Sequence, residues 1–219
     1  MEIIMEQYIK TTMENLEKNN IKAFYVESKE DVVPLVKTLI KKGESISCGG
    51  SATLAECGVK DQILYSGDYD FIDRSGLQGE DIRIAYGKAF MCDTFFTSSN
   101  AVTERGELYN VDGNSNRVAC IVYGPKQVIM VVGKNKIVPD IDSAIVRVKE
   151  KAAPPNAVRL NLNTPCAKLG KCISLTKDES DICEGCAGDS RICCNYVVSA
   201  QQRHKDRIKV IIVNDNLGY

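Results

Sequence analysis

Short apolar runs alternate with segments of helical rhythm along nearly the whole chain, and this alternation limits the fold more than any other feature. Ala23 to Val26, Ser45 to Cys48, Ile63 to Tyr65, Thr94 to Thr97, Val128 to Val132 and Ile208 to Val213 read as strands. Most are continuously apolar, as strands covered on both faces are. Between them, Ile3, Ile4, Tyr8, Ile9, Met13 and Leu16 fall near helical spacing within residues 2–19, and Asn19-Asn20 ends that helix. Ser28 followed by Glu30-Asp31 signals the cap of a helix from Val33 to Ile40, stopped by Gly43. Further helices are predicted after Ser51 through Cys57, from Glu80 to Met91, and from Ile141 to Ala153, where Pro154-Pro155 stops the last. Glu107 to Val111 and Val118 to Val122 read as β runs around the turn signal Asp112-Gly113-Asn114. The pattern predicts an α/β fold with a mostly parallel sheet and helices on both faces.

A chain of 219 residues can bury a sizeable core without disulfides. Its 28 basic and 29 acidic side chains nearly cancel, so no global field draws it to nucleic acid or an anionic membrane. Arg203, Lys205, Arg207 and Lys209 read as a solvated face. No apolar run approaches the ~20 residues of a membrane span. The N-terminus lacks a signal peptide's basic region and cleavage site, so a cytoplasmic location is expected. In a reducing compartment the 10 cysteines point to thiols and metal more than to disulfides. His204 is the only histidine, which excludes a multi-histidine metal site within one chain; it reads as a surface residue.

Two polar loops are candidate sites. S-C-G-G-S-A-T-L, with Gly49, Gly50 and Ser51, joins a strand to a helix. Glycines there let backbone N–H groups approach an anion. The same string also reads as a tight turn with Ser51 as its cap, and it matches no nucleotide-binding fingerprint. Ser98 to Arg117 gathers Asn100, Glu104, Asp112, Asn114 and Arg117 after a predicted strand, where open α/β sheets bind ligands. Glu104 is a candidate base or nucleophile, and Arg117 a candidate bidentate anion holder. A hairpin with solvated charges is the alternative.

Six of the cysteines lie between Cys166 and Cys194. Thiols at that density bind metal, exchange redox equivalents or cross-link. Cys57, Cys92 and Cys120 read as small buried hydrophobes. Cys48 abuts the glycine loop, where a helix N-terminus can depress a thiol pKa.

G-G-S-A-T-L-A-E-C-G, S-S-N-A-V-T-E-R-G-E-L-Y-N-V-D-G-N-S-N-R-V-A, Y-G-P-K-Q-V-I-M-V-V-G-K-N-K-I-V and A-A-P-P-N-A-V-R-L follow one another in order. They resemble the lactate-utilisation (LUD) domain family over roughly residues 5–219. The resemblance implies a Rossmann-like sandwich of the NagB/RpiA/CoA-transferase-like superfamily, with residues 1–219 as one domain. It implies a pocket lined by Gly49, Gly50, Ser51, Asn100, Glu104, Asp112, Asn114 and Arg117, but brings no reaction. A cysteine-bearing subgroup has a similar tail, which by matching assigns Cys166, Cys172, Cys186 and Cys193 as metal ligands. They would stand in a lobe over residues 162–204, inserted before the last strand. The stretch Ile173 to Gly185 is added here, and Cys183 and Cys194 are extra thiols, Cys183 a rival ligand.

Four thiolates suit zinc or an iron–sulfur cluster. Irregular spacing, spare cysteines and the missing histidines favour a [4Fe–4S] cluster, with zinc as the alternative. Lys168, Lys171 and Arg191 would ease its burial. The functional expectation is an enzyme or enzyme subunit acting on a small anionic metabolite, an organic acid or sugar phosphate. The alternatives are an electron-transfer subunit of a lactate-oxidising complex working with an iron–sulfur redox partner, and a regulatory module with a structural zinc. The oligomeric state is open, a dimer being one option.

Overall fold

The computed structural model describes residues 5–177 and 181–219. Ile3 and Ile4 of the first predicted helix therefore lie outside the described residues. The chain opens with α1 (Gln7–Lys18), β1 (Lys22–Val26), α2 (Val32–Leu39), β2 (Ser45–Cys48) and α3 (Ala52–Glu56). Next come β3 (Asp70–Phe71), α4 (Gly79–Phe90), β4 (Thr94–Thr97), β5 (Ala101–Thr103), β6 (Leu108–Asp112) and α5 (Asn116–Val122). The remainder is β7 (Gln127–Gly133), β8 (Ile137–Val138), α6 (Ile141–Arg147), α7 (Ala153–Arg159), α8 (Pro165–Leu169), β9 (Asn195–Ser199) and β10 (Ile208–Val213).

Six strands form one parallel sheet in the order β1-β10-β7-β4-β2-β3. The predicted α/β fold, with helices flanking a mostly parallel sheet, is the fold observed. Its apolar runs are continuous because both faces are covered. Along β7, Val128, Met130 and Val132 point to one face, where Ile9 and Leu16 of α1 and Ile121 of α5 meet them. Ile129 and Val131 point to the other, against Val33 and Val36 of α2 and Leu54 of α3. This is the two-residue period of a pleated strand read on both faces.

A second sheet, β8-β5-β6-β9, was not visible in the sequence. β5 is three residues long inside the polar loop, and β9 follows the cysteine segment. β9 pairs antiparallel with β6, from Leu108 opposite Ser199 to Asp112 opposite Asn195. Tyr109 is buried between this sheet and Ala144, Val148 and Ala153 of the α6–α7 layer.

Three element assignments change. Ile63 to Tyr65 is no strand: Lys60–Leu64 is a π-helical turn that lays Ile63 and Leu64 beside Val59 in the core. Three apolar residues carry too little periodicity to separate the two. Val118 to Val122 lies in α5, whose first turn is fixed by the Asp112 carboxylate accepting from the N–H groups of Arg117 and Val118 (both 3.2 Å). Pro154-Pro155 does not end the helical path. Val148–Ala152 forms a π-helical turn, and the prolines fall in the first turn of α7, where a missing N–H costs nothing.

Arg207 is also not a solvated charge. It is half-buried and donates to the carbonyls of Cys120 (2.8 Å), Ile121 (2.7 Å) and Pro125 (3.0 Å), closing the C-terminus of α5 onto the strand β10. His204 is exposed, as expected. No described helix is long and apolar enough to cross a membrane. Arg207→Met, which keeps the apolar stem but strands these carbonyls, is expected to lower stability by about 2 kcal/mol. A shift in the urea midpoint at unchanged slope checks it.

Candidate functional site

The C-terminal ends of β2, β4, β7 and β10 open into a cavity of about 540 Å³. Gly50, Ser51 and Thr53 enter it from the β2–α3 junction, Ser98 to Asn100 from the end of β4, and Lys136 from beyond β7. Val111 to Asn114 and Arg117 form another side, and Asp189 to Cys194 a third. Ligands bind at this end of open α/β sheets for topological reasons, and the volume is in the range of small-molecule sites.

Of the predicted residues, Gly50, Ser51, Asn100, Asp112, Asn114 and Arg117 are brought together around this cavity. Glu104 is not. It sits in the turn between β5 and β6, where its N–H donates to Val138 (2.8 Å) and its carbonyl accepts from Asn15 of α1 (2.7 Å). The turn points away from the strand ends because β5 and β6 form a hairpin, which carries its tip back past α1. Gly49 lies one step behind the cavity wall. A Cβ there would stand 2.8 Å from Cδ and 2.9 Å from Cγ of Arg117, so glycine is what lets the arginine stem pass. Ser51 caps α3, its hydroxyl accepting from the Leu54 N–H (3.3 Å).

Arg117 departs from its predicted role. Its Nη1 donates to Ser98 O (3.2 Å) and Asn110 Oδ1 (2.6 Å), and its Nη2 to Asn100 Oδ1 (2.9 Å) and Val111 O (2.9 Å). Nε faces the Asp112 carboxylate at 3.7 Å. A guanidinium has five N–H donors; here the four on Nη1 and Nη2 bond protein acceptors and the fifth faces the Asp112 carboxylate. Arg117 holds the loops in place and has no fork left for a substrate carboxylate. Burial pulls its pKa down, and Asp112 opposes that shift.

The sequence reading passed over Lys136. Its side chain is almost wholly buried, yet its ammonium lines the cavity. It donates to Thr53 Oγ1 (2.9 Å) and Ser98 Oγ (3.0 Å), and no carboxylate among the described residues pairs with it. Burial, with the charges of Arg147 and Arg117 close by, pulls its pKa down to about 7. Arg147 donates to Asn100 O (2.6 Å) and Asn135 O (3.1 Å), so it is also committed to the protein. Lys136 stands three residues past the end of an apolar strand, inside G-K-N-K-I-V, and that position was the available signal. Cys48 is mostly buried, and burial raises its thiol pKa, against the depression expected from the loop. Cys57 and Cys92 are pushed to about 12 and Cys120 to about 11 by burial, as small core residues.

Cys166, Cys172, Cys186 and Cys193 line one narrow chamber between α7, α8 and β9. Burial, then the neighbouring thiols, pushes Cys193 up to about 12, and the same causes raise Cys186. Cys183 and Cys194 are exposed and stand outside the chamber's lining, and Cys194 instead lines the first cavity. Arg191 holds the loop together by donating to the carbonyls of Cys183 (2.7 Å), Cys186 (3.1 Å) and Cys193 (2.7 Å). Lys168 and Lys171 are exposed and do not reach the chamber, whereas Lys149 lines it. Among the described residues no three His, Cys, Asp or Glu side chains form a group able to hold a metal ion. Chamber and cavity share Val148, Ala153 and the wall Arg191-Ile192-Cys193.

Lys136 gives the pH behaviour a sign. Between pH 7 and its ordinary value of 10.5 the unfolded chain holds a proton that the folded protein has released, so stability rises with pH across that window. Below pH 7 both forms are protonated and the full cost of the buried charge remains. Lys136→Met is expected to stabilise the protein at pH 6 by a few kcal/mol, with the gain shrinking steadily from pH 7 to 10. Denaturation of both proteins across pH checks it.

The LUD domain family model matches residues 9–213. A search of the curated proteins gives no match. Among solved structures, the chain is similar to a DUF162 family protein from Deinococcus radiodurans, with a TM-score of 0.52 and 14% identity, over 95% of this chain and 97% of that one. That likeness extends to the fold alone, whereas the family model covers the sheet, the cavity loops and the cysteine segment together. The chain belongs to the LUD domain family.

Proposed function

We propose that this protein is an enzyme, or the substrate-binding subunit of one, acting on a small organic acid or sugar phosphate in the first cavity, with an iron–sulfur cluster on Cys166, Cys172, Cys186 and Cys193. The wall Arg191-Ile192-Cys193 carries the reading, since one three-residue segment lines both the polar cavity and the thiol chamber. A metal centre in the chamber would sit one residue-thickness from a bound metabolite.

Support for an anionic metabolite comes from Lys136. A buried ammonium without a carboxylate partner is costly unless another anion meets it. A carboxylate or phosphate entering the cavity would be held by Nζ, with the Thr53 and Ser98 hydroxyls fixing where the ammonium points. A pKa near 7 also lets Nζ give up or take a proton at neutral pH. Arg117 positions the loops, and Glu104, away from the cavity, has no part in this reading.

Support for a cluster comes from the donor set: four cysteines ring one chamber, and Arg191 and Lys149 set positive charge beside it. Four thiols lining one chamber match in number the four iron corners of a [4Fe–4S] core. A lone tetrahedral zinc, the alternative, would need its sulfurs gathered on one point. When bound, a cluster would supply one-electron transfer next to the metabolite.

Anaerobic reconstitution with ferrous iron and sulfide is expected to give a brown protein with iron and acid-labile sulfide in equal amounts. Cys172→Ser and Cys186→Ser should lose the colour and keep the circular dichroism of the parent, while Cys183→Ser and Cys194→Ser should retain both. Colour surviving in Cys172→Ser and Cys186→Ser, or loading by zinc alone, overturns the cluster.

A further inference from the structure

A second cavity, also of about 540 Å³, opens on the other side of the glycine loop. Its chemistry differs from the first. Leu54, Leu64, Phe71 and Ile82 give it an apolar floor. Tyr86 carries the guanidinium of Arg74 over its ring, 5.1 Å from the centroid, and Arg74 is anchored by donating to the Cys48 carbonyl. Half-exposed Tyr65 stands edge-on to Phe71 at 5.1 Å, with its hydroxyl bonded to Asp73. Flat aromatic and guanidinium surfaces of this kind stack planar heteroaromatic rings.

The ridge between the cavities is built for an anion. Gly50, Ser51 and Arg159 line both. The Arg159 guanidinium lies over Gly50, its Nη2 4.0 Å from where a Cβ would stand. Among the described residues it is tied down through one edge only, Nε and Nη2 sharing Asn156 Oδ1. Among the described residues neither the Gly50 nor the Ser51 N–H donates a hydrogen bond. Two free amides and a cation on one short ridge are donors suited to a phosphate.

We propose that the second cavity binds the base of a nucleoside monophosphate, with its phosphate on the ridge beneath Arg159. Such a ligand would run from the tyrosines to the ridge and stop short of Lys136. This site stands independently of what the first cavity binds.

Titration calorimetry of the intact protein with AMP, adenosine and inorganic phosphate tests it. AMP is expected to bind at least tenfold more tightly than either fragment, because base and phosphate are met at once. Tyr86→Leu and Tyr65→Ala should each weaken AMP by about tenfold, the usual size of a lost stacking contact, without changing phosphate binding. Arg159→Gln should bring AMP down to the level of adenosine. Lys136→Met, which disables the first cavity's ammonium, should leave AMP binding within twofold, and this arm separates the site from the metabolite reading. Thermal melting matched to the parent shows that each variant is folded. AMP binding no tighter than phosphate, or unmoved by Tyr86→Leu, Tyr65→Ala and Arg159→Gln together, overturns the proposal, as does a loss confined to Lys136→Met.

Discussion

The guanidinium of Arg117 is the joint on which the site depends. It bonds the end of β4 through Ser98, the β4–β5 link through Asn100, and β6 through Asn110 and Val111. Its own backbone N–H donates to the Asp112 carboxylate that caps α5. A buried cation is tolerable only when its donors are matched, and removing one partner of such a group costs several kcal/mol. Here the acceptors are two asparagine side chains, two carbonyls and a carboxylate, so the parallel sheet, the second sheet and α5 are fixed relative to one another at one point. Gly49 belongs to the same joint, because the stem of Arg117 occupies the space a Cβ would need.

That joint explains why the cavity can keep a poorly compensated lysine. Among the described residues Lys136 is held by hydroxyls alone, and neighbouring Arg147 and Arg117 work against its charge. A site of this kind opposes folding locally and persists because the surrounding structure is over-determined. The core on both faces of the six-stranded sheet, together with the Arg117 network, supplies that over-determination. Buried ionisable groups with displaced pKa values gather at functional sites for this reason. The same logic separates the three arginines of the region. Arg117 and Arg147 spend their donors on protein carbonyls and amides, whereas Arg159 is exposed and tied through one edge, which leaves it open to a ligand.

How much was legible in the sequence follows from where the information is stored. The strands β1, β2, β4, β7 and β10 were readable because most are short apolar runs fixed by burial in the sheet, a local signal. The second sheet was not. β5, β8 and β9 are two to five residues long and owe their pairing to partners far along the chain, such as Asp112 opposite Asn195. The strand read at Val118 to Val122 failed because its helix is set by a carboxylate at Asp112, outside the run. Site residues followed the same rule. Gly50, Ser51, Asn100, Asp112 and Asn114 line the cavity as the polar loops after the strands suggested, since such loops are local features. Glu104 lies in an equally polar stretch, but hairpin geometry carries it away. Lys136 was missed because a lysine after a strand reads as a solvated charge until the hydroxyls of Thr53 and Ser98, from distant parts of the chain, are seen to enclose it.

Asp112 joins these regions mechanically. Its carboxylate caps α5 and faces Arg117, while its carbonyl accepts the N–H of Cys194 at 3.1 Å. It is also the last residue of β6, paired with Asn195 at the start of β9. The segment Arg191 to Cys194, which separates the thiol chamber from the cavity, is thus anchored to the same residue that anchors the cavity's organising arginine. Any displacement of the thiols that draws Cys193 toward its neighbours must pull on the Cys194–Asp112 bond, and from there on Arg117 and Asn100. No flexible linker intervenes to absorb it, since β9 begins one residue later. The chamber and the cavity are therefore two faces of one hydrogen-bonded frame, and the geometry of each is set in part by the other.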